Sequence, residues 1–179
     1  VVLPISGTER IPHMQAVLAN LLAQQSPPCE IIVSEEGHDR PCLPPLPGTV
    51  RHVFTQRQKN EPYCKSRMLN AGAAAARGRH LLLHDADILV PERYLEQIVE
   101  RLDAGWEAVR PIRFLFCLGN QETDTVLKAR SSNGIATVPD VMQNFPGGSV
   151  ALRRDTYFAI GGMDEEFAGW GGEDNEFLD

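Results

Sequence analysis

The sequence predicts an α/β protein built on an open, mostly parallel twisted sheet with helices on both faces. Two observations carry this. Short apolar runs alternate with segments of helical period over residues 1–102, and acids gather where two of those runs end, at Glu35-Glu36 and at Asp85-Ala86-Asp87. Repeated strand-helix-strand units imply parallel strands joined by right-handed crossovers. Ligands of such sheets collect outside the carboxyl ends of the strands, which is where these acids fall.

The first strand spans Val1 to Ile5, and a Ser6-Gly7-Thr8-Glu9 loop leads into a helix from Ile11 to Gln25 with Pro12 in its first turn. Met14, Val17, Leu18, Leu21 and Leu22 recur at the three-four spacing of one buried face. Glu30 to Ser34 is the second strand. Residues 38–50 hold Pro41, Pro44, Pro45 and Pro47 and read as a surface loop, because proline supplies no ladder donor. Arg51 to Phe54 is a short strand, and Tyr63 to Ala76 a helix whose alanine-rich end suits close packing on a sheet. Gly78 stops it. Arg79 to His84 is the strand that delivers Asp85, and Pro91 opens an amphipathic helix running to Leu102. Trp106 to Cys117 adds further strand, whereas Gly119 to Asn144 shows little periodicity and reads as an insertion over the site.

At 179 residues, 42% hydrophobic and 23% charged, the composition is that of one globular domain covering residues 1–179. A net charge of -7 with scattered basic residues excludes a nucleic-acid surface, which demands clustered Lys and Arg. The four cysteines, Cys29, Cys42, Cys64 and Cys117, form no C-x-x-C pair, so neither a zinc site nor a disulfide framework is indicated and free thiols are expected. No apolar run approaches the roughly 18 residues of a membrane span. A cytoplasmic location, at the inner face of the membrane, is the expectation. The chain stops just inside a helix begun near Glu173, from which continuation beyond Asp179 is expected.

Two acids flanking one small residue at a strand end can hold a divalent cation that bridges a diphosphate, with the first acid free to meet a ribose hydroxyl. An acidic protein needs such help, because unit charges about 4 Å apart repel by about 4 kcal/mol at an effective dielectric near 20. Hard cations such as Mn²⁺ or Mg²⁺ take oxygen ligands of this kind. The downstream block Gly169-Trp170-Gly171-Gly172-Glu173-Asp174, preceded by Asp164-Glu165-Glu166, crowds five acids into a glycine-rich stretch. Such crowding costs stability unless some acids face a cation or titrate in catalysis. Trp170 between glycines suits stacking on a sugar face. Lys65 and Arg67, at a helix start beside Tyr63, read either as a solvated basic turn or as a phosphate clamp with an aromatic for the base. His84 reads as structural, since strand alternation turns it away from Asp85.

At these residues the chain resembles the GT-A fold (Rossmann-like) nucleotide-sugar glycosyltransferases, of the galactosyltransferase and polypeptide N-acetylgalactosaminyltransferase type, and the bacterial family 2-like glycosyltransferases. The resemblance rests on the ordered pieces Arg10 to Met14, Lys65 to Gly72, Asp85-Ala86-Asp87, Phe145-Pro146-Gly147-Gly148 and Gly161-Gly162 through Glu176. It implies that Asp85 and Asp87 form a DXD motif: Asp87 ligates Mn²⁺ or Mg²⁺, and Asp85 meets the ribose or the metal. Arg10, Glu35, Tyr63, Lys65 and Arg67 would line the nucleotide and diphosphate pocket, Gly147 and Gly148 would frame the nucleotide sugar, and Trp170 and Asn175 the acceptor. Asp174 matches the carboxylate that takes the acceptor proton in inverting members, supported by Glu173. Asn175 stands where inverting galactosyltransferases carry a third acid. The implied activity is transfer of a hexose or N-acetylhexosamine from a UDP-sugar to a glycan or glycolipid acceptor. A retaining transferase, a nucleotidyltransferase of similar topology and a silent glycan-binding module are the alternatives.

Overall fold

The computed structural model describes all residues except Pro27, Cys29, Ser131, Asn133, Gly134, Ala136, Trp170 and Asp179. In chain order the strands are β1 (Val2–Ser6), β2 (Ile31–Gly37), β3 (Val50–Gln56), β4 (His80–His84), β5 (Ala108–Val109), β6 (Phe114–Cys117), β7 (Asp140–Gln143) and β8 (Ser149–Arg153). The helices are α1 (Ile11–Leu22), α2 (Lys65–Ala75), α3 (Tyr94–Asp103), α4 (Asn120–Ala129), α5 (Arg154–Ala159) and α6 (Glu173–Leu178). Six strands form one sheet in the order β3-β2-β1-β4-β8-β5, and β6 and β7 pair separately. β3, β2, β1 and β4 are parallel; β8 runs antiparallel to both β4 and β5.

Period-two alternation divides the core. Leu3, Ile5, Val33 and Leu82 face one side, where Met14, Val17 and Leu21 of α1 and Leu95, Ile98 and Leu102 of α3 cover them. Val2, Ile32, Leu81 and Leu83 face the other, under Leu69 and Ala73 of α2 and Tyr157 of α5. The small residues of α2 let it lie close to the sheet: a Cβ on Gly72 would stand 2.3 Å from Cγ1 of Val2.

α1 joins β1 to β2 on one face, while α2 returns from β3 to β4 on the other, so the winding reverses between β1 and β4. A reversal of this kind leaves a crevice outside the carboxyl ends of the two strands. The loop after β1 and the acids after β4 both open into it.

The structure refines two expectations and corrects a third. Residues 119–144, for all their weak periodicity, contain α4 and β7. Residues 106–117 do supply strand, split between two sheets, β5 in one and β6 in the other. The second strand runs on to Gly37, so Glu35 and Glu36 lie inside β2, both fully buried, rather than beyond its end. β2 is flanked by β1 and β3 and covered on both faces, so neither side of the pleat offers these acids solvent.

Candidate active site

The apolar residues of β4 bring the chain to the crevice, and the ladder with β8 sets its register, His84 opposite Ser149. That ladder extends one step further, because the Asp85 N–H donates to the Gly148 carbonyl at 2.9 Å. His84 itself is buried. Its Nε2 is 3.0 Å from the Ile88 carbonyl, which can only accept, so Nε2 carries the proton; Nδ1 then accepts from the Ser149 hydroxyl at 3.0 Å, and Ser149 accepts from Tyr94 at 2.7 Å. Burial pushes the imidazole pKa down and keeps it neutral. His84 is a strut under the strand end.

Lys65 occupies the first turn of α2, which Cys64 caps by accepting the Arg67 N–H at its Sγ. Its ammonium is almost enclosed, and three carboxylates converge on it: Asp85 at 2.9 Å, Asp174 at 2.9 Å and Glu173 at 3.6 Å. Burial alone would depress the Lys65 pKa, yet the fields of Asp85 and then Asp174 outweigh it and the pKa is raised. For Asp174 burial dominates and raises the carboxyl pKa against the pull of Lys65. Residues far apart in sequence thus share one cation at the switch point.

Glycines bring the partners this close. A Cβ on Gly147 would stand 2.6 Å from Oδ2 of Asp174, so the carboxylate rests against bare backbone. Gly148 has φ +96° and would drive a Cβ to 2.7 Å from Ile88. Tyr63 holds the glycine loop by its backbone, its carbonyl accepting from the Gly169 N–H at 2.6 Å. Its phenol is raised in pKa by burial.

Asp87 is half exposed and paired with Arg10, which reaches across from the loop after β1. Asp85 and Asp87 supply hard oxygen donors suited to Mn²⁺ or Mg²⁺. Among the described residues no group of three His, Cys, Asp or Glu could complete a shell. Each of the two carboxylates is engaged by a protein cation, Asp85 by Lys65 and Asp87 by Arg10.

Arg67 and Glu35 are not brought to this cluster. The Arg67 guanidinium is taken by Glu36 at 3.2 Å, Glu61 at 3.4 Å and Glu165 at 3.7 Å. Glu35 accepts the Cys42 N–H at 2.6 Å and pairs with His52 at 2.8 Å. Asn175 is exposed on α6, and Trp170 lies outside the described residues. Asn70 was not singled out as a site residue, yet its amide binds the Met163 carbonyl at 2.9 Å and Glu165 at 2.8 Å while its oxygen accepts the Met163 N–H at 3.0 Å. It pins the segment leading to Glu173 onto α2. The signal was a polar residue between Leu69 and Gly72, which both face the sheet.

Residues 136–179 match the family described as the N-terminal domain of galactosyltransferase. A sequence search of the curated proteins found no match. Among solved structures, Drosophila β-1,4-galactosyltransferase 7, in complex with manganese, UDP-Gal and xylobiose, is similar over 99% of this chain and 58% of its own, at 15% identity and TM-score 0.52. The Pyrobaculum calidifontis mannosyltransferase with GDP-Man and Mn²⁺ is similar over 97% of this chain and 49% of its own, at 19% identity and TM-score 0.54. Staphylococcus aureus TarS, residues 1–349, is similar over 98% of this chain and 53% of its own, at 13% identity and TM-score 0.59. The chain thus spans roughly half the length of these structures. The parallel sheet with its switch point, and these likenesses, show that this chain has the GT-A fold of the nucleotide-sugar glycosyltransferases.

Proposed function

We propose that the protein is a metal-dependent glycosyltransferase that moves a hexose or N-acetylhexosamine from a UDP-sugar to a glycan acceptor hydroxyl, with inversion. The observation that carries this reading is the convergence of Asp85 and Asp174 on Lys65 in the crevice between β1 and β4. One acid belongs to the strand end where a diphosphate would sit; the other rests on the Gly147 backbone, facing the same space.

Asp85 and Asp87 would hold a divalent cation, which when bound neutralises charge on the leaving diphosphate. Arg10, paired with Asp87, would contribute positive charge beside it, Lys65 would hold Asp85 and Asp174 in place, and Tyr63 would flank the nucleotide. Asp174 would accept the proton of an acceptor hydroxyl, a role supported by the burial that raises its pKa. Glu173, also against Lys65, keeps the local charge balanced when Asp174 turns to the acceptor. Support for donor and metal comes from the neighbours solved with UDP-Gal and manganese and with GDP-Man and Mn²⁺.

The test is a screen of UDP-, GDP- and dTDP-sugars with Mn²⁺, read as donor hydrolysis and as thermal protection. A UDP-sugar should be selected, and its transferred product should have the opposite anomeric configuration. Release of pyrophosphate would replace the transferase reading with a nucleotidyltransferase, and no response to any donor would remove the enzyme reading.

A further inference from the structure

A second open cleft, of about 380 Å³, lies between α3 and the edge strand β5. Its lining includes Gln97 and Arg101 of α3, Trp106 in the turn that follows, and Arg110 and Pro111 beyond β5. Trp106 is 64% exposed, the largest exposure among the large hydrophobic side chains described. Arg101 and Arg110 make no ion pair among the described residues, although the chain carries a net charge of -7. Asp103, close to both in sequence, is already taken by Arg79 at 2.9 Å.

One end of the cleft, at Arg110, approaches the site. β5 is antiparallel to β8, with Ala108 opposite Leu152 and Val109 opposite Ala151, so the chain at Arg110 and Pro111 heads for the start of β8, where Gly147 and Gly148 stand. Arg110 donates to the Phe145 carbonyl at 3.0 Å, two residues from the glycine that supports Asp174. At the same end Tyr94, which also lines the cleft, donates to Ser149. From Pro111 back to Trp106 the chain covers up to about 17 Å at strand rise.

We propose that this cleft binds the anionic stretch of an oligosaccharide whose end lies at Asp174. An indole plate takes the apolar face of a pyranose. The Gln97 amide takes hydroxyls, and two guanidiniums without carboxylate partners take carboxylate or phosphate oxygens in bidentate fashion. A path of up to about 17 Å from Pro111 to Trp106 is longer than one sugar unit. The inference rests on the transferase reading and adds the acceptor's charge and extent to it.

Calorimetry on the wild-type protein tests it with three probes: oligosaccharides alternating glucuronic acid and N-acetylglucosamine, the same oligosaccharides with carboxylates reduced to alcohols, and a glycerol-phosphate oligomer. At least one anionic probe should bind, more tightly with each added unit and less tightly as salt rises, and the two anionic arms identify whether carboxylate or phosphate is preferred. The neutral probe should bind about 10-fold more weakly or worse, and Arg101→Gln, Arg110→Gln and Trp106→Ala should each cost about 10-fold. Arg101→Lys should recover part of the loss. Binding of neither anion, equal binding of the neutral probe, or unchanged affinity in all three variants overturns the proposal. UDP titrated with Mn²⁺ separates the two readings. If UDP binds and no saccharide does, only the cleft assignment fails; if UDP does not bind, the transferase reading fails.

Discussion

The Nζ of Lys65 lies 2.9 Å from Oδ2 of Asp174 and 3.1 Å from Oδ1, so the ammonium straddles both oxygens of the carboxylate proposed as the base. Removing that charge leaves Asp85, Asp174 and Glu173 facing one another in a largely buried space. Lys65→Met should lower stability by about 3–5 kcal/mol, the usual result of deleting one partner of a buried ion pair. Lys65→Arg should recover most of it. Denaturant unfolding measures both, and a Lys65→Met protein as stable as wild type would mean the cluster contributes no net charge balance.

Asp174→Asn should spare UDP-sugar binding and slow transfer by about 10²-fold to 10⁴-fold, the contribution of a positioned base. The base works only when ionised, and burial raises its pKa, so the acid limb of kcat/KM should lie above the ordinary carboxylate range near 4. In Asp174→Asn that limb should vanish from the residual rate. Single-turnover rates across pH decide it.

UDP affinity should depend on a divalent cation and lose that dependence in Asp87→Ala. Arg10→Gln frees Asp87 from its ion pair, so this variant should take up Mn²⁺ in the absence of nucleotide more readily than wild type. Titration of Mn²⁺ followed by electron paramagnetic resonance reads this without turnover. Equal UDP affinity with chelator and with Mn²⁺ would end the metal reading.

Gly147→Ala and Gly148→Ala should fail differently. At Gly147 the new methyl meets the end of the Asp174 side chain, which can move, so transfer should fall while the melting temperature changes little. At Gly148 the left-handed φ adds strain of about 1–2 kcal/mol on top of the clash with Ile88. Its melting temperature should drop.

The thiol of Cys42 should be unreactive despite its exposure. Its hydrogen bond to Glu35, then burial, push its pKa up to about 11. Iodoacetamide should alkylate it about 100-fold more slowly at pH 8 than an ordinary thiol, and Glu35→Gln should raise the rate. Peptide mapping by mass spectrometry keeps it distinct from the other cysteines.

The crevice acids were legible because an apolar run ending in charged residues can be little else than a buried strand reaching its edge. Asp85 and Asp174 follow from that pattern and from the glycine block. The partner of Lys65 was not legible: the same residue at a helix start reads as a phosphate clamp, and only the fold shows three carboxylates reaching it first. Glu35 misled for a related reason, since a strand's polar end looks the same in sequence whether it meets solvent or an edge strand such as β3. β8 escaped notice because Ser149 to Arg153 is short and antiparallel, outside the repeating strand-helix order that organised the rest.

Main-chain bonding between Asp85 and Gly148 separates what can vary from what cannot. The spacing between Asp85 and the glycine turn under Asp174 is fixed by strand register, which a side-chain substitution elsewhere leaves alone. Loops around the rim could therefore be exchanged while this backbone spacing is kept, so the proposed chemistry and the choice of substrate would be set by separate parts of the chain.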